Sequence, residues 1–159
     1  MEISNITIRN AKSNDIINIC KLFEISIKKT CITEYTKEQI SAWVETGKYN
    51  TNWKLKIEKD FFIIAEIGSL IVGFGSLENN GHIDLLYVHS DFQKIGIATK
   101  ILSTIENEAI NKNINRLWTD SSITAIPFFI NNNYIIEITY EKSIQNCVFL
   151  NTILSKKIL

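Results

Sequence analysis

The sequence predicts a single mixed α/β domain with the element order βααβββαβαββ. Its 159 residues can bury one proper core and are too few for two ordinary domains. Stretches with the two-residue period of strands and stretches with helical spacing succeed one another along the whole chain. No repeat, linker or break in composition separates them, so residues 1–159 are expected to form one domain.

The first elements are a strand and a helix. Apolar and polar residues alternate over Ile6–Asn10, as they do in a half-buried strand. Ser13 or Asn14 can then cap a helix. Its apolar side chains recur at helical spacing at Ile16, Ile17, Ile19, Cys20, Phe23 and Ile27. The chain therefore opens with a strand that leads directly into a helix.

A second helix is signalled at Thr36. The threonine hydroxyl can accept a hydrogen bond from the backbone of Gln39, whose side chain can reciprocate. Tyr35 can also pack on Ile40 across the same turn. This pattern predicts a helix that begins at Thr36.

Three strands follow. Phe61–Ile67 and Leu70–Leu77 are apolar and rich in β-branched residues, and Gly68-Ser69 between them indicates a hairpin. The turn residues Asn79-Asn80-Gly81 separate these strands from a further one, His82–His89. We expect the three strands to form an antiparallel meander.

The rest of the chain alternates between helices and strands. Beyond Gly96 the apolar residues take up helical spacing, which predicts a third helix that ends near Asn113. A short helix is predicted at Thr124–Ile130, where Pro127 fits the first turn if Thr124 caps. Strands are predicted at Leu117–Thr119, Tyr134–Tyr140 and Cys147–Leu154.

Charge is balanced in this chain, with 17 basic and 17 acidic residues. Its arginines are Arg9 and Arg116, and no basic stripe accompanies the aromatic residues, so we expect no nucleic acid partner. The N-terminus lacks a basic segment followed by an apolar run, and no stretch approaches the roughly 18 apolar residues of a membrane helix. The sequence predicts a cytoplasmic protein without a membrane partner.

The segment around Gly96 predicts a strand end, a tight turn and a helix start. The first N–H groups of a helix have no intrahelical acceptor and lie at its positive end, so a phosphate can accept several hydrogen bonds there. Gly96 and Ala98 are small enough to let a phosphate approach, and Gln93, Lys94 and Thr99 can add donors. The spacing of a Walker or Rossmann motif is absent. The segment predicts a phosphate-bearing ligand.

The cysteines Cys20, Cys31 and Cys147 are widely spaced along the chain. An odd number does not suit a disulfide framework, and the spacing lacks the paired ligands of a zinc site. No cysteine neighbours the Gly96 turn in sequence, so a thiol nucleophile is not expected. We expect reduced thiols and no metal.

The Gly96 turn resembles the signature of the GNAT superfamily of N-acetyltransferases, Q/R-x-x-G-x-G/A after a strand that ends in Val, matched here by Gln93-Lys94-Ile95-Gly96-Ile97-Ala98. The resemblance extends over nearly the whole chain. It implies a central, mostly antiparallel twisted sheet of six to seven strands with about four helices. It also implies which residues bind coenzyme A: Gln93, Lys94, Ile95, Gly96, Ile97, Ala98 and Thr99 at the pyrophosphate, and the backbone of Leu86, Tyr87 and Val88 along the pantetheine.

A second segment resembles the family pattern N-x-x-A-x-x-F-Y-x-x-x-G-F, matched by Ser122, Ala125, Phe128, Phe129, Asn133 and Tyr134. Ser122 replaces the common asparagine. Phe129 stands where many members place a tyrosine that protonates the departing thiolate, and phenylalanine has no proton to donate. The resemblance still assigns Ser122 and Phe129 to the cofactor site, while water or another hydroxyl could protonate the thiolate. The paired Phe128 and Phe129 are expected to pack in the core.

The resemblance implies direct transfer of an acetyl group from acetyl-CoA, as cosubstrate, to a primary amine of a small molecule or peptide. The amine attacks the thioester carbon in a ternary complex, and holding two oriented reactants together supplies much of the acceleration. A backbone N–H near Val88 can polarise the thioester carbonyl. An alternative stays open: a catalytically silent coenzyme A-binding sensor or interaction module, which the missing tyrosine would permit. A homodimer also stays open.

The acceptor pocket is expected between the loop that joins the first two helices and the last strands. Tyr35, Trp43 and Trp53 are candidates for its lining. Packing in the core is the other interpretation of each of these aromatic residues.

His82 and Asp84 are the candidates for the general base. Strand alternation puts both on the face that carries Leu86, and some histone acetyltransferases of the superfamily carry a catalytic Glu at the position that matches His82. An imidazole titrates near neutral pH, so it can take a proton from an ammonium acceptor. His82 could instead be a solvated residue at a strand start, and Asp84 could merely orient it.

Overall fold

The computed structural model of the protein describes residues 5–158, apart from the side chains of residues 49 and 50. Seven strands and five α-helices occupy this part of the chain. The strands are β1 (Ile6–Asn10), β2 (Phe61–Ile67), β3 (Leu70–Leu77), β4 (Ile83–Val88), β5 (Arg116–Ser121), β6 (Ile135–Ile144) and β7 (Cys147–Lys157). The helices are α1 (Ile16–Thr30), α2 (Lys37–Glu45), α3 (Trp53–Lys59), α4 (Ile97–Asn111) and α5 (Ile126–Asn131). None of these described helices is both long enough and apolar enough to cross a membrane.

The predicted element order is confirmed except for one helix, α3, which lies where the sequence predicts no element. Its residues alternate between apolar and charged as those of a strand do, which hides the helical period. Asn52 caps the helix, because its side chain accepts a hydrogen bond from the Leu55 N–H at 3.0 Å. Trp53, only 5% exposed, anchors it in the core.

Of the caps predicted for the first two helices, the one of α2 is confirmed and the one of α1 is wrong. The capping box of α2 is confirmed: the Thr36 N–H donates to Gln39 Oε1 at 2.9 Å, and the Gln39 N–H donates to Thr36 Oγ1 at 3.2 Å. The cap predicted for α1 at Ser13 or Asn14 is wrong. These residues form a short 3-10 turn before α1, and the Asp15 carboxylate accepts a backbone N–H there instead.

The strands form two antiparallel sheets rather than one central sheet. The first has the order β1-β2-β3-β4 and the second the order β5-β7-β6. β4 and β5 meet in a parallel bridge between His82 and Trp118, where the Trp118 N–H donates to the Gly81 carbonyl at 3.0 Å. Because the two strands do not pair along the rest of their length, the sheet is split and a cleft opens between its halves.

The four-stranded sheet is covered on both faces, by α4 on one and by α1, α2 and α3 on the other. The close fit of α4 depends on two glycines of β3. A Cβ atom at Gly73 would lie 2.9 Å from the side chains of Ile97 and Ile101, and one at Gly75 would lie 2.6 Å from Ile101. These glycines let α4 approach the sheet closely, so its N-terminus is held beside the end of β4.

Candidate active site

A cleft of about 720 Å³ opens where β4 and β5 separate. Both sheets line it, together with α1, the loop before α2, the start of α4 and α5. Nine residues predicted for the site lie in its wall: His82, Asp84, Leu86, Tyr87, Val88, Gln93, Ala98, Ser122 and Phe129. The other five are not in the wall and form the adjoining turn and first helical residues: Lys94, Ile95, Gly96, Ile97 and Thr99.

The end of β4 directs backbone groups into the cleft. The His89 N–H donates to the Val72 carbonyl of β3 at 2.8 Å. Hydrogen-bonding residues alternate along an antiparallel strand, so Tyr87 also faces β3 while Leu86 and Val88 turn their N–H and C=O groups the other way. The strand therefore offers donors and acceptors to an extended ligand that lies along it.

The turn before α4 has the backbone conformation of an anion site. Lys94 and Gly96 have φ angles of 62° and 89°, in the left-handed region that favours glycine. The first intrahelical bond runs from the Lys100 N–H to the Gly96 carbonyl at 2.9 Å, so the N–H groups of Ile97, Ala98 and Thr99 precede the helical ladder. A Cβ atom at Gly96 would meet no other protein atom within 4 Å. Packing does not require this glycine, but its positive φ angle favours one, and the space beside the turn is open.

Gln93 holds the turn onto the strand. Its Nε2 atom donates one N–H to the Val88 carbonyl at 3.0 Å. The amide carries a second N–H, so donation from the Gln93 side chain to a phosphate stays a prediction. Its position fixes the distance between the strand end and the helix N-terminus.

His82 lies at the junction of the two sheets. Its imidazole stacks on the Trp118 indole with 3.9 Å between ring centroids and an interplanar angle of 13°. His82 Nδ1 lies 3.2 Å from a carboxylate oxygen of Glu78. In the tautomer with the proton on Nδ1, the imidazole donates to Glu78, and Nε2 is left as the acceptor. The side chain is 15% exposed, so it is not a solvated strand start.

Glu78 is a site residue that the sequence analysis missed. It follows β3 directly, and its N–H donates to the His82 carbonyl at 2.9 Å, so the intervening turn brings the two side chains to one side. The signal available in the sequence was an acidic residue just before a turn and a histidine just after it. That pairing becomes visible only once the register of β3 and β4 is known.

Asp84 departs from the predicted geometry. Leu77 pairs with Ile83 and Ser76 with Leu85, which leaves Asp84 as an extra residue in a β-bulge. The expectation that Asp84 and Leu86 share one face is therefore wrong: Leu86 packs against the core under α4, whereas Asp84 forms an ion pair with Lys56 of α3.

Acidic groups gather at this end of the cleft. Burial raises the pKa of Asp60, and Glu78 and Asp84 add to the rise while Lys56 opposes it. Glu78, His82 and Asp84 each place one atom able to bind a metal within 4.8 Å of the others. Because the Lys56 ammonium is already paired with Asp84, a cation would have to compete with it. The cluster is better matched to holding a histidine and a positive charge in place.

Phe129 is a packed core residue at the cleft wall. It is 2% exposed, and its ring contacts those of Phe128 and Tyr134 at centroid distances of 5.4 and 5.2 Å. The expected core packing of the Phe128-Phe129 pair is confirmed. The cap predicted at Thr124 is wrong, because a 3-10 turn precedes α5: Ser122 stands at the N-cap of that turn, and Ala125 at the N-cap of α5.

The loop between α1 and α2 brings Tyr35 into the cleft wall. Its hydroxyl accepts a hydrogen bond from the Ile123 N–H at 2.9 Å. Its ring packs against Trp43 and Phe149 at centroid distances of 5.4 and 5.8 Å. Trp43 lines the cleft as expected, but Trp53, the first residue of α3, does not, because its side chain is buried and its indole N–H donates to the Gly47 carbonyl at 2.8 Å.

The three-stranded sheet contributes a polar wall around Asp120. The Asp120 carboxylate accepts hydrogen bonds from the Tyr140 hydroxyl at 2.7 Å and from Asn151 at 3.0 Å, and Lys142 approaches it at 3.4 Å. Burial and the Asp120 carboxylate raise the pKa of Tyr140 to about 12. Side chains, rather than backbone groups, define this wall.

Comparisons with known proteins agree with this geometry. A family model described as an acetyltransferase (GNAT) domain matches residues 31–146. The uncharacterized N-acetyltransferase YafP of Escherichia coli is 33% identical over 126 residues, which cover 79% of each chain. The chain belongs to the GNAT family of acetyltransferases, and its class is that of an acetyl-CoA-dependent acyltransferase.

Solved structures share the fold over nearly the whole length. A GCN5-related N-acetyltransferase from Rhodopseudomonas palustris is 27% identical with a TM-score of 0.93, covering 99% of this chain and 98% of that one. The PaiA N-acetyltransferase from Thermoplasma acidophilum, solved in complex with coenzyme A, is 20% identical with a TM-score of 0.81 over 96% and 98% of the chains. YncA from Salmonella typhimurium, solved with its cofactor acetyl-CoA, is 14% identical with a TM-score of 0.68 over 98% of this chain and 95% of that one. The predicted mixed α/β GNAT fold is confirmed.

Proposed function

We propose that this protein transfers the acetyl group of acetyl-CoA to a primary amine of a small molecule or peptide, by direct attack of the amine within a ternary complex. The observation that carries the proposal is the opening of the cleft beside two sets of directed backbone groups. One set belongs to the end of β4 and the other to the N-terminus of α4. A ligand with amides at one end and a pyrophosphate at the other matches both sets.

The cofactor end would bind through the backbone. The N–H groups of Ile97, Ala98 and Thr99 would hold the pyrophosphate, where the helix dipole adds to the attraction. The backbone of Leu86 and the Val88 N–H would pair with the pantetheine amides, since the Val88 carbonyl already accepts from Gln93. The open space at Gly96 supports this fit, since any larger residue would extend a side chain from the turn toward the phosphate.

The chemistry would take place near the junction of the sheets. His82, oriented by Glu78, would accept the proton that the amine loses as it attacks the thioester carbon. The Lys56 ion pair makes Asp84 a less suitable base than His82. Much of the acceleration would come from holding the two reactants together, for which effective molarities reach about 10⁵ M. No covalent intermediate on the protein is needed.

The acceptor amine would enter from the side opposite the pyrophosphate turn. Tyr35 and Trp43 from the helical side and Asp120 from β5 line that part of the cleft. Aromatic faces and a carboxylate are suited to an amine that carries both apolar surface and positive charge. These side chains would set the acceptor specificity.

A coenzyme A-binding module without turnover is the second candidate function. One observation favours it: Phe129 puts a buried ring where many family members have a tyrosine hydroxyl. Binding would then be expected with no product formation. The two candidates therefore differ in turnover and agree in cofactor affinity.

Two measurements test the proposal. Titration calorimetry with acetyl-CoA and with CoA measures binding, and a thiol-release assay measures turnover with a panel of amines: an aromatic ethylamine, an amino sugar, a linear diamine and a peptide N-terminus. We expect binding together with acceleration by at least one amine. Binding without acceleration by any amine would support the silent module, and the absence of binding would reject both.

A further inference from the structure

We propose that Tyr35 supplies the proton that the departing coenzyme A thiolate needs, in place of the tyrosine that is missing at position 129. The proposal rests on the acetyl transfer proposed above. It assigns the acid to the loop between α1 and α2, which is remote in sequence from α5.

The Tyr35 hydroxyl lies against the segment that leads into α5. Its oxygen is 2.9 Å from the backbone nitrogen of Ile123, in the 3-10 turn from which α5 continues to Phe129. Tyr35, Ser122 and Phe129 all line the same cleft. A phenol is therefore present in that wall, but it arrives from another element of the chain.

The hydrogen-bond pattern leaves the Tyr35 proton available. The oxygen accepts from the Ile123 N–H, and the Ser122 side chain also favours its ionised form. With the Ile123 N–H directed at the oxygen, the hydroxyl hydrogen must point elsewhere, and among residues 5–158 the Tyr35 hydroxyl donates no hydrogen bond to a backbone carbonyl or a carboxylate. Burial raises the pKa of Tyr35, so the phenol is protonated at neutral pH. The same donors would stabilise the phenolate once the proton has left.

Packing holds this hydroxyl in a fixed position. Tyr35 is 7% exposed, and its ring is wedged between Trp43 of α2 and Phe149 of β7. The capping box begins at the next residue, Thr36, and fixes the backbone there. A preorganised donor of this kind loses little conformational entropy when the thiolate forms.

Two alcohol hydroxyls and a second phenol in the wall are less suited to the task. Thr119 Oγ1 donates to the Ile83 carbonyl at 3.0 Å, and Ser121 Oγ donates to the Ser122 carbonyl at 2.9 Å, so both protons are engaged. Tyr87 lies on the α1 side, where Phe23 and Phe74 enclose its ring. Tyr35 is the phenol that reaches the segment before α5.

The step balances in atoms and electrons. The amine lone pair forms a bond to the thioester carbon, the C–S bond breaks, and its electron pair goes to sulfur. The O–H proton of Tyr35 moves to that sulfur, which yields the coenzyme A thiol. The amine proton passes to His82 and then to solvent, and solvent returns a proton to the Tyr35 phenolate.

The first test removes the hydroxyl while keeping the ring. With acetyl-CoA and the amine that the wild type acetylates fastest, Tyr35→Phe should lower kcat by roughly 10²-fold and leave the KM for acetyl-CoA within about twofold. Tyr134→Phe is the matched control, because it removes a buried hydroxyl that contacts Glu106 outside the cleft wall. A folded Tyr35→Phe protein with wild-type kcat would overturn the proposal, whereas a wild type that fails to turn over acetyl-CoA would overturn the function beneath it.

A rescue and a pH profile exclude a purely structural effect. Phe129→Tyr, added to Tyr35→Phe, should recover at least about tenfold in kcat, since it restores a phenol at the position that family members use. Fluorotyrosine at position 35 keeps the shape and lowers the pKa of the phenol, so the loss of kcat at high pH should begin at lower pH than in the wild type. If Tyr35→Phe does not fold, an unchanged profile with fluorotyrosine refutes the assignment.

Discussion

The two sheets of this protein do different work, and they are built differently. The four-stranded sheet is covered on both faces, and Ile64, Ala65, Val72 and Phe74 in its strands are fully buried. The three-stranded sheet ends in an edge strand, β6, whose side chains are mostly exposed, including Ile135 at 67%. The covered sheet carries the backbone groups suited to a cofactor, whereas the open sheet would offer side chains to the proposed acceptor.

This difference explains why the sequence predicts the cofactor but does not predict the acceptor. Backbone donors need only a strand, a glycine turn and a helix start, which leave a local signature in the sequence. A specificity pocket needs side chains from distant segments, such as Tyr35, Asp120 and Asn151, whose proximity depends on the whole fold. Four variants test this difference between the two sheets.

The largest effect is expected from His82, at the junction of the sheets. His82→Ala should lower kcat by roughly 10²–10⁴ while acetyl-CoA affinity stays intact, because a base acts on the acceptor and not on the cofactor. Wild-type turnover should rise with pH, because a base must be free of its proton to act, before the fall at high pH expected from Tyr35, and the variant should lose the rising part of the profile. His89→Ala is the control, since His89 accepts a backbone N–H from Asp91 and does not line the cleft. Steady-state kinetics across pH would remove His82 from the mechanism if the variant kept wild-type turnover and profile.

Gly96→Val should weaken acetyl-CoA binding, which His82→Ala should leave intact. A branched side chain beside the helix N-terminus would hinder about two charge-assisted hydrogen bonds to the pyrophosphate, which together correspond to roughly a hundredfold loss of affinity. Gly68→Val is the matched control: it places the same strain at a φ of +62° in the β2–β3 turn, also with no atom within 4 Å. Calorimetry on both folded variants tests the assignment, and equal acetyl-CoA affinity in the two would reject the turn as the cofactor site.

A smaller effect on stability is expected at the covered sheet. Asp15 accepts hydrogen bonds from Arg9 at 2.8 and 2.9 Å and from the Lys12 N–H at 2.7 Å. Asp15→Asn should lower the free energy of unfolding by about 2 kcal/mol, or the Tm by roughly 4–8 °C. Asp91→Asn, at an exposed carboxylate, should leave the Tm unchanged within error.

The pKa of Asp15 determines how the stability lost in Asp15→Asn depends on pH. The hydrogen bonds from Arg9 hold the pKa of Asp15 below its usual range. A depressed carboxyl pKa contributes stability that is complete above the unfolded value, about 3.9, and is lost as pH falls through the folded value. Denaturant melts should therefore show the gap between wild type and Asp15→Asn closing below about pH 4. A gap that persisted unchanged at pH 2 would contradict a role for the ionised carboxylate.

The fold was predictable where burial is two-sided and turns are marked. β2 and β3 have the predicted bounds because Gly68-Ser69 separates two apolar runs. On the open sheet, β6 extends to Ile144 instead of Tyr140. Its exposed polar residues do not alternate with apolar ones, so the sequence has no two-residue period that marks the end of the strand.

The same reasoning explains which parts of the candidate site could be predicted. The glycine turn was predictable because its chemistry is local. The contact of Glu78 with His82 and the bulge at Asp84 were not, because each depends on the register between β3 and β4. Strand alternation holds only while the pairing is regular, and a single extra residue moves Asp84 away from the face of Leu86.

Phe129→Leu should have the smallest effect of the four variants. It tests the core where the two sheets meet. Phe129 is 2% exposed and packs on Phe128 and Tyr134 in the core shared with α4 and β7. Leucine retains most of the apolar burial and leaves a small gap, so the free energy of unfolding should fall by about 1 kcal/mol. Because Phe129 has no proton to give, kcat should stay within about threefold of the wild type once the assay temperature is well below the Tm. Thermal melts paired with kinetics separate the two quantities. If turnover fell more than about a thousandfold with normal melting and acetyl-CoA binding, the ring itself would be part of the chemical step.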